Sequence, residues 1–176
     1  MKTFLFVIIF LVFLSLAAYW LRQERTKTPR LVRVALATGH RTKEDGCQVH
    51  GPLQDKECTP GTVFPNVTAE QICVRGYARS VRNVPVQLKR EVYAEYGIAR
   101  HRPGEYEVDH LISLELGGSN DIANLWPEAA EPRPGFHEKD KIENYLHDQV
   151  CSGRMDLRAA QSVVAYEWLR VYKEIE

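Results

Sequence analysis

The sequence predicts an α+β domain in which two short strands enclose a glycine-rich loop and are followed by a helix. Residues 106–109 read as the first strand, and residues 124–126 read as the second, ended by Pro127. Between them, residues 117–121 are Gly, Gly, Ser, Asn and Asp, which are typical of turns. A small strand pair with helical patterns on both sides therefore favours the α+β class.

Helices are predicted upstream of the strand pair. Thr68 and Gln71 have the spacing of a capping box, which indicates a short helix beginning there. Apolar residues at helical spacing then predict a helix over residues 86–96, and Gly97 follows in the position of a C-terminal cap.

Two further helices are predicted downstream. Residues 135–150 have an apolar face at helical spacing, and Gly153 follows. Asp156 is a suitable N-cap for one last helix. The apolar stripe of that last helix is Leu157, Ala160, Val164, Trp168 and Val171.

The N-terminus has the character of a targeting segment. Residues 3–21 are uncharged and mostly apolar, close in length to the roughly 20 residues that span a bilayer. An uncleaved signal anchor and a cleaved signal peptide are both compatible with this segment. The basic residues that follow favour a cytoplasmic location by the positive-inside rule. We expect residues 1–21 to be the anchor or signal peptide, residues 22–45 a linker and residues 46–176 the folded domain.

The cysteine content favours a location outside the cytoplasm. The chain has 4 cysteines, none in a C-x-x-C pair, which argues against a zinc ribbon. An even number behind an export-like segment indicates disulfides, with buried free thiols as the alternative. Among the three pairings, we favour a local Cys47–Cys58 bond and a long-range Cys73–Cys151 bond. We therefore expect an extracytoplasmic location, either membrane-anchored or secreted or periplasmic.

The residues that indicate chemistry are concentrated around the predicted strand pair. Asp109 ends the first strand and His110 follows it, Asn124 opens the second strand, and His137 lies at the start of the following helix. An acid, a base, an orienting amide and a second metal ligand are the groups that a one-metal phosphodiesterase needs. The chain therefore has the residue types that a nuclease site requires.

The stretch from Asp109 to Pro127 resembles the core of the HNH nucleases of the ββα-metal (His-Me finger) superfamily, and is closest to small exported HNH proteins. It reads D-H-L-I-S-L-E-L-G-G-S-N-D-I-A-N-L-W-P. The resemblance covers about residues 58–170, including Lys139-Asp140 and Glu143. It implies a ββα-metal core with flanking helices, preceded here by the N-terminal apolar helix.

The resemblance also implies a role for each site residue. His110 would be the general base, and Asn124 would hold the loop closed and orient the imidazole. Asp109 and His137 would bind one divalent cation, with Mg²⁺ expected and Mn²⁺, Ni²⁺ or Zn²⁺ as alternatives. The second ligand stays open to two rivals of His137, which are His101 and His147.

Local charge indicates a partner even though net charge does not. Lys plus Arg and Asp plus Glu both total 23. Between residues 75 and 102, however, basic residues outnumber the acidic ones, Glu91 and Glu95. A solvated helix face is one interpretation, and a surface that contacts phosphates is the other. The expected phosphate contacts are Arg75, Arg79, Arg82, Lys89 and Arg90.

The sequence therefore predicts a metal-dependent endonuclease of low sequence specificity. We expect it to act on DNA, and on RNA as a further substrate, as a monomer without an organic cofactor. An uncleaved N-terminal segment would make the membrane a second partner. One alternative is a non-catalytic nucleic-acid-binding module on the same scaffold. Another is a membrane-anchored interaction protein with structural zinc, which is disfavoured because structural zinc prefers four nitrogen or sulfur ligands.

Overall fold

The computed structural model describes residues 39–175. This part of the chain has the predicted α+β class, with one antiparallel two-stranded sheet and several helices. The expected apolar helix of residues 1–21 lies outside the described residues. Within residues 39–175, no helix combines the length and the apolar character needed to cross a membrane.

The secondary structure alternates helices with one strand pair. A loop that contains two short 3₁₀ turns, Leu114–Leu116 and Ile122–Asn124, joins the strands. The elements in chain order are α1 (Ala69–Ile72), α2 (Tyr77–Val81), α3 (Val86–Glu95), β1 (Tyr106–His110), β2 (Leu125–Ala129), α4 (Phe136–Cys151), α5 (Leu157–Tyr166) and α6 (Trp168–Ile175).

The strands β1 and β2 form an antiparallel ribbon, in which His110 pairs with Leu125 and Tyr106 pairs with Ala129. The prediction that Pro127 ends the second strand was wrong, since Pro127 lies inside β2 opposite Val108. A two-stranded ribbon consists only of edge strands, where a proline without an N–H is tolerated. Asn124 precedes β2 in a 3₁₀ turn and does not belong to the strand itself.

Each face of the ribbon packs against a different helix, because side chains alternate along a strand. On one face, Val108 and Leu125 form a buried cluster with Val92 of α3. On the other face, Trp126 joins the main core, to which Ile142 of α4 also belongs. The ribbon therefore lies between α3 and α4, and Asp109 faces the α4 side.

The cap predictions were accurate at the helix starts. The capping box is present, since the Gln71 N–H donates to Thr68 Oγ1 and the Thr68 N–H donates to the Gln71 side chain. At the far end of the chain, Asp156 caps α5 as predicted.

The prediction of one last helix was wrong, because Glu167 separates α5 from α6. Its backbone leaves the helical region with φ −133° and ψ 6°. The apolar stripe continues across this break, since Trp168 and Val171 are still buried. Apolar periodicity therefore could not reveal it.

Two disulfides join Cys47 to Cys58 and Cys73 to Cys151, which is the pairing that the sequence favoured. The Cys47–Cys58 bond closes a loop with a sequence separation of 11. The Cys73–Cys151 bond joins the end of α1 to the end of α4, with a sequence separation of 78. Closing the longer loop removes more entropy from the unfolded chain. Two disulfides are compatible with an extracytoplasmic location.

The described end of the predicted linker is bonded to the domain. Arg41 donates from Nη2 to Glu95 Oε2 over 2.5 Å and from Nε to the Cys58 carbonyl over 3.0 Å. Lys43 forms an ion pair of 3.0 Å with the nearly buried Asp55. Residues 39–45 therefore lie against the domain.

Candidate active site

Asn124 closes the loop between the two strands. Its side chain is fully buried, and Nδ2 donates to the carbonyls of Ile112 and Ser119 over 3.0 and 2.9 Å. Its Oδ1 accepts from the Ile112 N–H over 3.0 Å and from the Thr62 N–H over 3.4 Å. One amide thus joins the two sides of the loop, which positions the end of β1.

The loop can close this tightly only because residue 118 is glycine. A Cβ at Gly118 would lie 1.7 Å from the Ile112 carbonyl oxygen and 3.0 Å from Asn124 Nδ2. Real Cβ atoms do not approach backbone oxygens so closely, so any other residue would open the loop. The Gly-Gly pair that indicates a turn in the sequence is therefore a packing requirement as well.

His110 is almost completely buried, with 2% of its surface exposed. Asn124 was expected to orient this imidazole, and the structure adds a direct partner, since His110 Nε2 lies 3.2 Å from Asn120 Oδ1. Asn120 lies in the turn after Gly117 and Gly118, where turn chemistry alone accounts for an asparagine. Its contact with His110 therefore has no separate signal in the sequence.

The environment of His110 keeps the imidazole neutral at physiological pH. Burial lowers the pKa of His110 to about 4, although the Asp109 charge and the Asn120 hydrogen bond oppose this effect. The positive charges of Arg82 and Lys139 lower the pKa further. A neutral imidazole retains one unprotonated nitrogen, which a general base requires.

Asp109 is bound by a lysine of α4. The Lys139 ammonium donates to Asp109 Oδ2 over 2.6 Å and to the His110 carbonyl over 2.9 Å. Lys139 is fully buried, whereas 14% of the Asp109 side chain is exposed. Burial alone would raise the pKa of Asp109, but the Lys139 charge holds that pKa below its usual value.

Two more carboxylates surround the same ammonium. Lys139 also hydrogen-bonds to Glu143 one turn along α4, and Glu128 Oε2 of β2 lies 3.8 Å from its Nζ. Burial raises the pKa of Glu143 to about 7 and that of Glu128 well above its usual range. Neither Glu128 oxygen accepts a hydrogen bond within residues 39–175, and a protonated Glu128 is the form that can donate to Asp109.

These buried charges were outside the sequence-based site. Lys139 and Glu143 entered the sequence analysis only as part of the resemblance to HNH nucleases, without a role of their own. Their spacing of four residues is nevertheless that of neighbours on one face of a helix. Glu128 offers no local signal, since its contact depends on the register between β1 and β2. A cluster of one lysine and three carboxylates was therefore missed.

His137 lies on the first turn of α4, two residues before Lys139, and is exposed. It forms no ion pair with Asp109 in the part of the chain that the structure describes. Burial and the Asp109 charge raise the pKa of the neighbouring Asp140, and the His137 charge opposes this. Asp109 and His137 thus each lie within electrostatic range of Asp140.

His101 and His147, the alternative candidates for the second metal ligand, contact other parts of the protein. His101 packs against the ring of Tyr93 with centroids 4.5 Å apart. His147 Nε2 lies 3.2 Å from the Ile72 carbonyl and 3.4 Å from Cys151 Sγ. Among the described residues, neither histidine forms a hydrogen bond or ion pair with Asp109.

Within residues 39–175, one group of three metal-binding side chains has its ligand atoms within 4.8 Å, namely Cys73, His147 and Cys151. This group could hold a metal ion by its spacing. Cys73 and Cys151, however, are joined in a disulfide, and the thiolate is the form of cysteine that binds metals. A site of two protein ligands, as expected for Asp109 and His137, would not form such a group.

The basic residues expected to bind phosphate lie on and around α2 and α3. All five are exposed, and none forms an ion pair within the described residues. Arg82 and Lys89 are near the site, since both act on the pKa of Glu107 and Arg82 also acts on the pKa of His110. The remaining three, Arg75, Arg79 and Arg90, have no such link to the site among the described residues.

Comparison with known proteins adds no relative: no family model, no curated protein and no solved structure matches this chain.

Lys139→Met should destabilise the domain, because it leaves the buried carboxylates without their cation. Removing one partner of a buried ion pair costs about 3–5 kcal/mol. Urea unfolding at pH 8 measures this decrease in the free energy of unfolding. The decrease should become smaller as the pH falls, because protonation neutralises the unpaired carboxylates.

Lys141→Met is the matched control, since Lys141 is exposed on the same helix. It should change the free energy of unfolding by less than about 0.5 kcal/mol. Equal unfolding midpoints for the two variants would contradict the assigned role of Lys139.

Proposed function

We propose that this protein is a metal-dependent endonuclease of the HNH type, with a ββα-metal core formed by β1, β2 and α4. It would hydrolyse phosphodiester bonds of nucleic acid, DNA in particular, with low sequence specificity. The observation that carries the proposal is the pairing of a neutral, buried His110 with an ionised Asp109 at the end of β1. Adjacent titratable groups whose pKa values are shifted by burial and by a charged partner are typical of catalytic sites.

The donor atoms near β1 and α4 fit a divalent cation. Asp109 is partly exposed, and its contact with Lys139 engages Oδ2, so Oδ1 can bind a cation. The exposed His137 would supply an imidazole nitrogen. One carboxylate and one imidazole leave room for water and phosphate oxygens, which suits Mg²⁺ or Mn²⁺. When bound, the cation would neutralise the scissile phosphate and stabilise the leaving 3′ oxygen.

His110 would perform the proton transfer. Its unprotonated ring nitrogen takes a proton from a water molecule as the water oxygen forms a bond to phosphorus. The bond from phosphorus to the 3′ oxygen breaks on the opposite side, and the leaving oxygen takes a proton from solvent water, which gives a 5′ phosphate and a 3′ hydroxyl. His110 then returns its proton to solvent. Asn124 contributes indirectly, because it fixes the loop that follows His110.

The exposed basic side chains would position the substrate. Arg82 and Lys89 lie near Glu107 of β1, where their charges can bind phosphates on either side of the scissile bond. Contacts to the backbone carry no sequence information, which supports low specificity.

The location is also part of the proposal. Two disulfides support an extracytoplasmic domain, either released or held by the N-terminal segment. In such a location the substrate would be extracellular or periplasmic nucleic acid.

A non-catalytic nucleic-acid-binding module is the second candidate. It is favoured by one observation, the 2.6 Å ion pair through which Lys139 already neutralises Asp109. In that case, the exposed basic residues would still bind nucleic acid, and binding would weaken with salt. Cleavage in the presence of Mg²⁺ separates the two candidates.

His110→Ala should lower the cleavage rate by about 10²–10⁴-fold, because a general base typically contributes that much. Plasmid cleavage by the full chain, with Mg²⁺ and with a chelator, measures this effect. His50→Ala is the control, since His50 is an exposed histidine far along the chain from the site. Activity of His110→Ala within a few-fold of wild type would refute the assignment of the general base.

Combined Arg82→Glu and Lys89→Glu should raise KM for all duplex sequences alike. The dependence of log K on log salt should also become shallower by about 0.9 for each phosphate that the variant no longer binds. The value of kcat should change much less, because the base and metal ligands are retained. Cleavage of several duplexes over a salt series measures both effects.

Arg158→Glu is the matched control for that pair, because Arg158 is an exposed arginine on α5. It should leave KM unchanged. A higher KM for one duplex sequence alone would indicate base recognition instead. An unchanged KM for every duplex would mean that Arg82 and Lys89 belong to an ordinary solvated surface and do not bind the substrate.

A further inference from the structure

Asn120 connects His110 to the segment between α2 and α3. Its Oδ1 accepts from the Asn83 N–H and lies near His110 Nε2, both at 3.2 Å. Its Nδ2 donates to the Val81 carbonyl over 2.7 Å. Asn120 therefore contacts the backbone on both sides of Arg82.

These backbone contacts determine which way the Asn120 amide faces. A carbonyl such as that of Val81 can only accept, so it requires the NH₂ group of the amide. The Asn83 N–H can only donate, so it requires the amide oxygen. The oxygen is consequently the atom that faces the imidazole.

An amide oxygen next to a ring nitrogen requires the proton on that nitrogen. Nε2 of His110 must donate to Asn120 Oδ1, and in a neutral imidazole Nδ1 is then unprotonated. The hydrogen bonds of Asn120 thus select one of the two neutral tautomers of His110.

We propose that Asn120 is the positioning residue of His110: it fixes the Nε2–H tautomer and so makes Nδ1 the proton-accepting atom. This inference rests on the proposed nuclease function. It also links substrate binding to the base, because the same amide holds the backbone beside Arg82. A phosphate bound by Arg82 and the imidazole of His110 would then keep a constant relative position.

Long-range ¹⁵N–¹H correlation spectra of the histidine rings test the tautomer without any need for activity. In the full chain at pH 7.5, the His110 ring should show a protonated Nε2 and an unprotonated Nδ1. His110→Ala identifies its signals. A protonated Nδ1 in the wild-type protein would overturn the inference.

Two substitutions separate positioning from general stability. Asn120→Leu removes all three hydrogen bonds, so His110 should become a mixture of tautomers. The value of kcat should fall by up to about 10²–10⁴-fold, the contribution of a general base, and this fall should exceed any rise in KM. Asn120→Asp keeps an acceptor for Nε2–H and should restore the single tautomer even if the leucine variant is unstable.

Asn144→Ala is the matched control, since Asn144 is an exposed asparagine on α4 whose amide donates to the Asp140 carbonyl. It should alter neither the His110 signals nor kcat. An Nε2–H tautomer and an unchanged kcat in Asn120→Leu would overturn the proposal. If the tautomer depends on Asn120 but wild-type protein cleaves no substrate, the nuclease function fails and the positioning contact stands.

Discussion

The buried ammonium of Lys139 is the interaction on which the geometry of the site depends. It binds the Asp109 carboxylate and the His110 carbonyl at the end of β1, and it belongs to the helix that follows β2. The first turn of α4, which bears His137, is thereby held beside Asp109. A buried charge is stable only where it is paired and hydrogen-bonded, so the position of α4 and the ionisation of Asp109 depend on each other.

Adjacent residues on β1 are both held in their deprotonated forms, one charged and one neutral, by different causes. Asp109 remains ionised because Lys139 offsets the cost of burial. His110 points to the other face of the ribbon, where burial lowers its pKa and its ring bonds to the neutral amide of Asn120. The alternation of a β-strand is thus sufficient to place an ionised acid and a neutral imidazole next to each other.

Features that depend on local sequence could be predicted. The capping box at Thr68, the cap at Asp156 and the two strands are short-range patterns, and the structure contains them. The cysteine pairing required a choice between three alternatives, and the favoured one is the one that occurs.

Features that depend on register or distant contacts could not be predicted. The partner of His110 is Asn120, whose orientation is set by Val81 and Asn83, and Val81 lies 39 residues earlier in the chain. Glu128 reaches Asp109 only through the pairing of two strands. No periodicity or motif encodes either contact.

Anomalous diffraction from crystals of the protein grown with Mn²⁺ tests most directly whether Asp109 and His137 share a cation beside His110. We expect one strong peak within bonding distance of an Asp109 oxygen and a His137 nitrogen, and we expect Asp109→Asn to abolish it. A peak at another set of residues, or intact Asp109–Lys139 pairing with no peak at Asp109, would contradict the assignment.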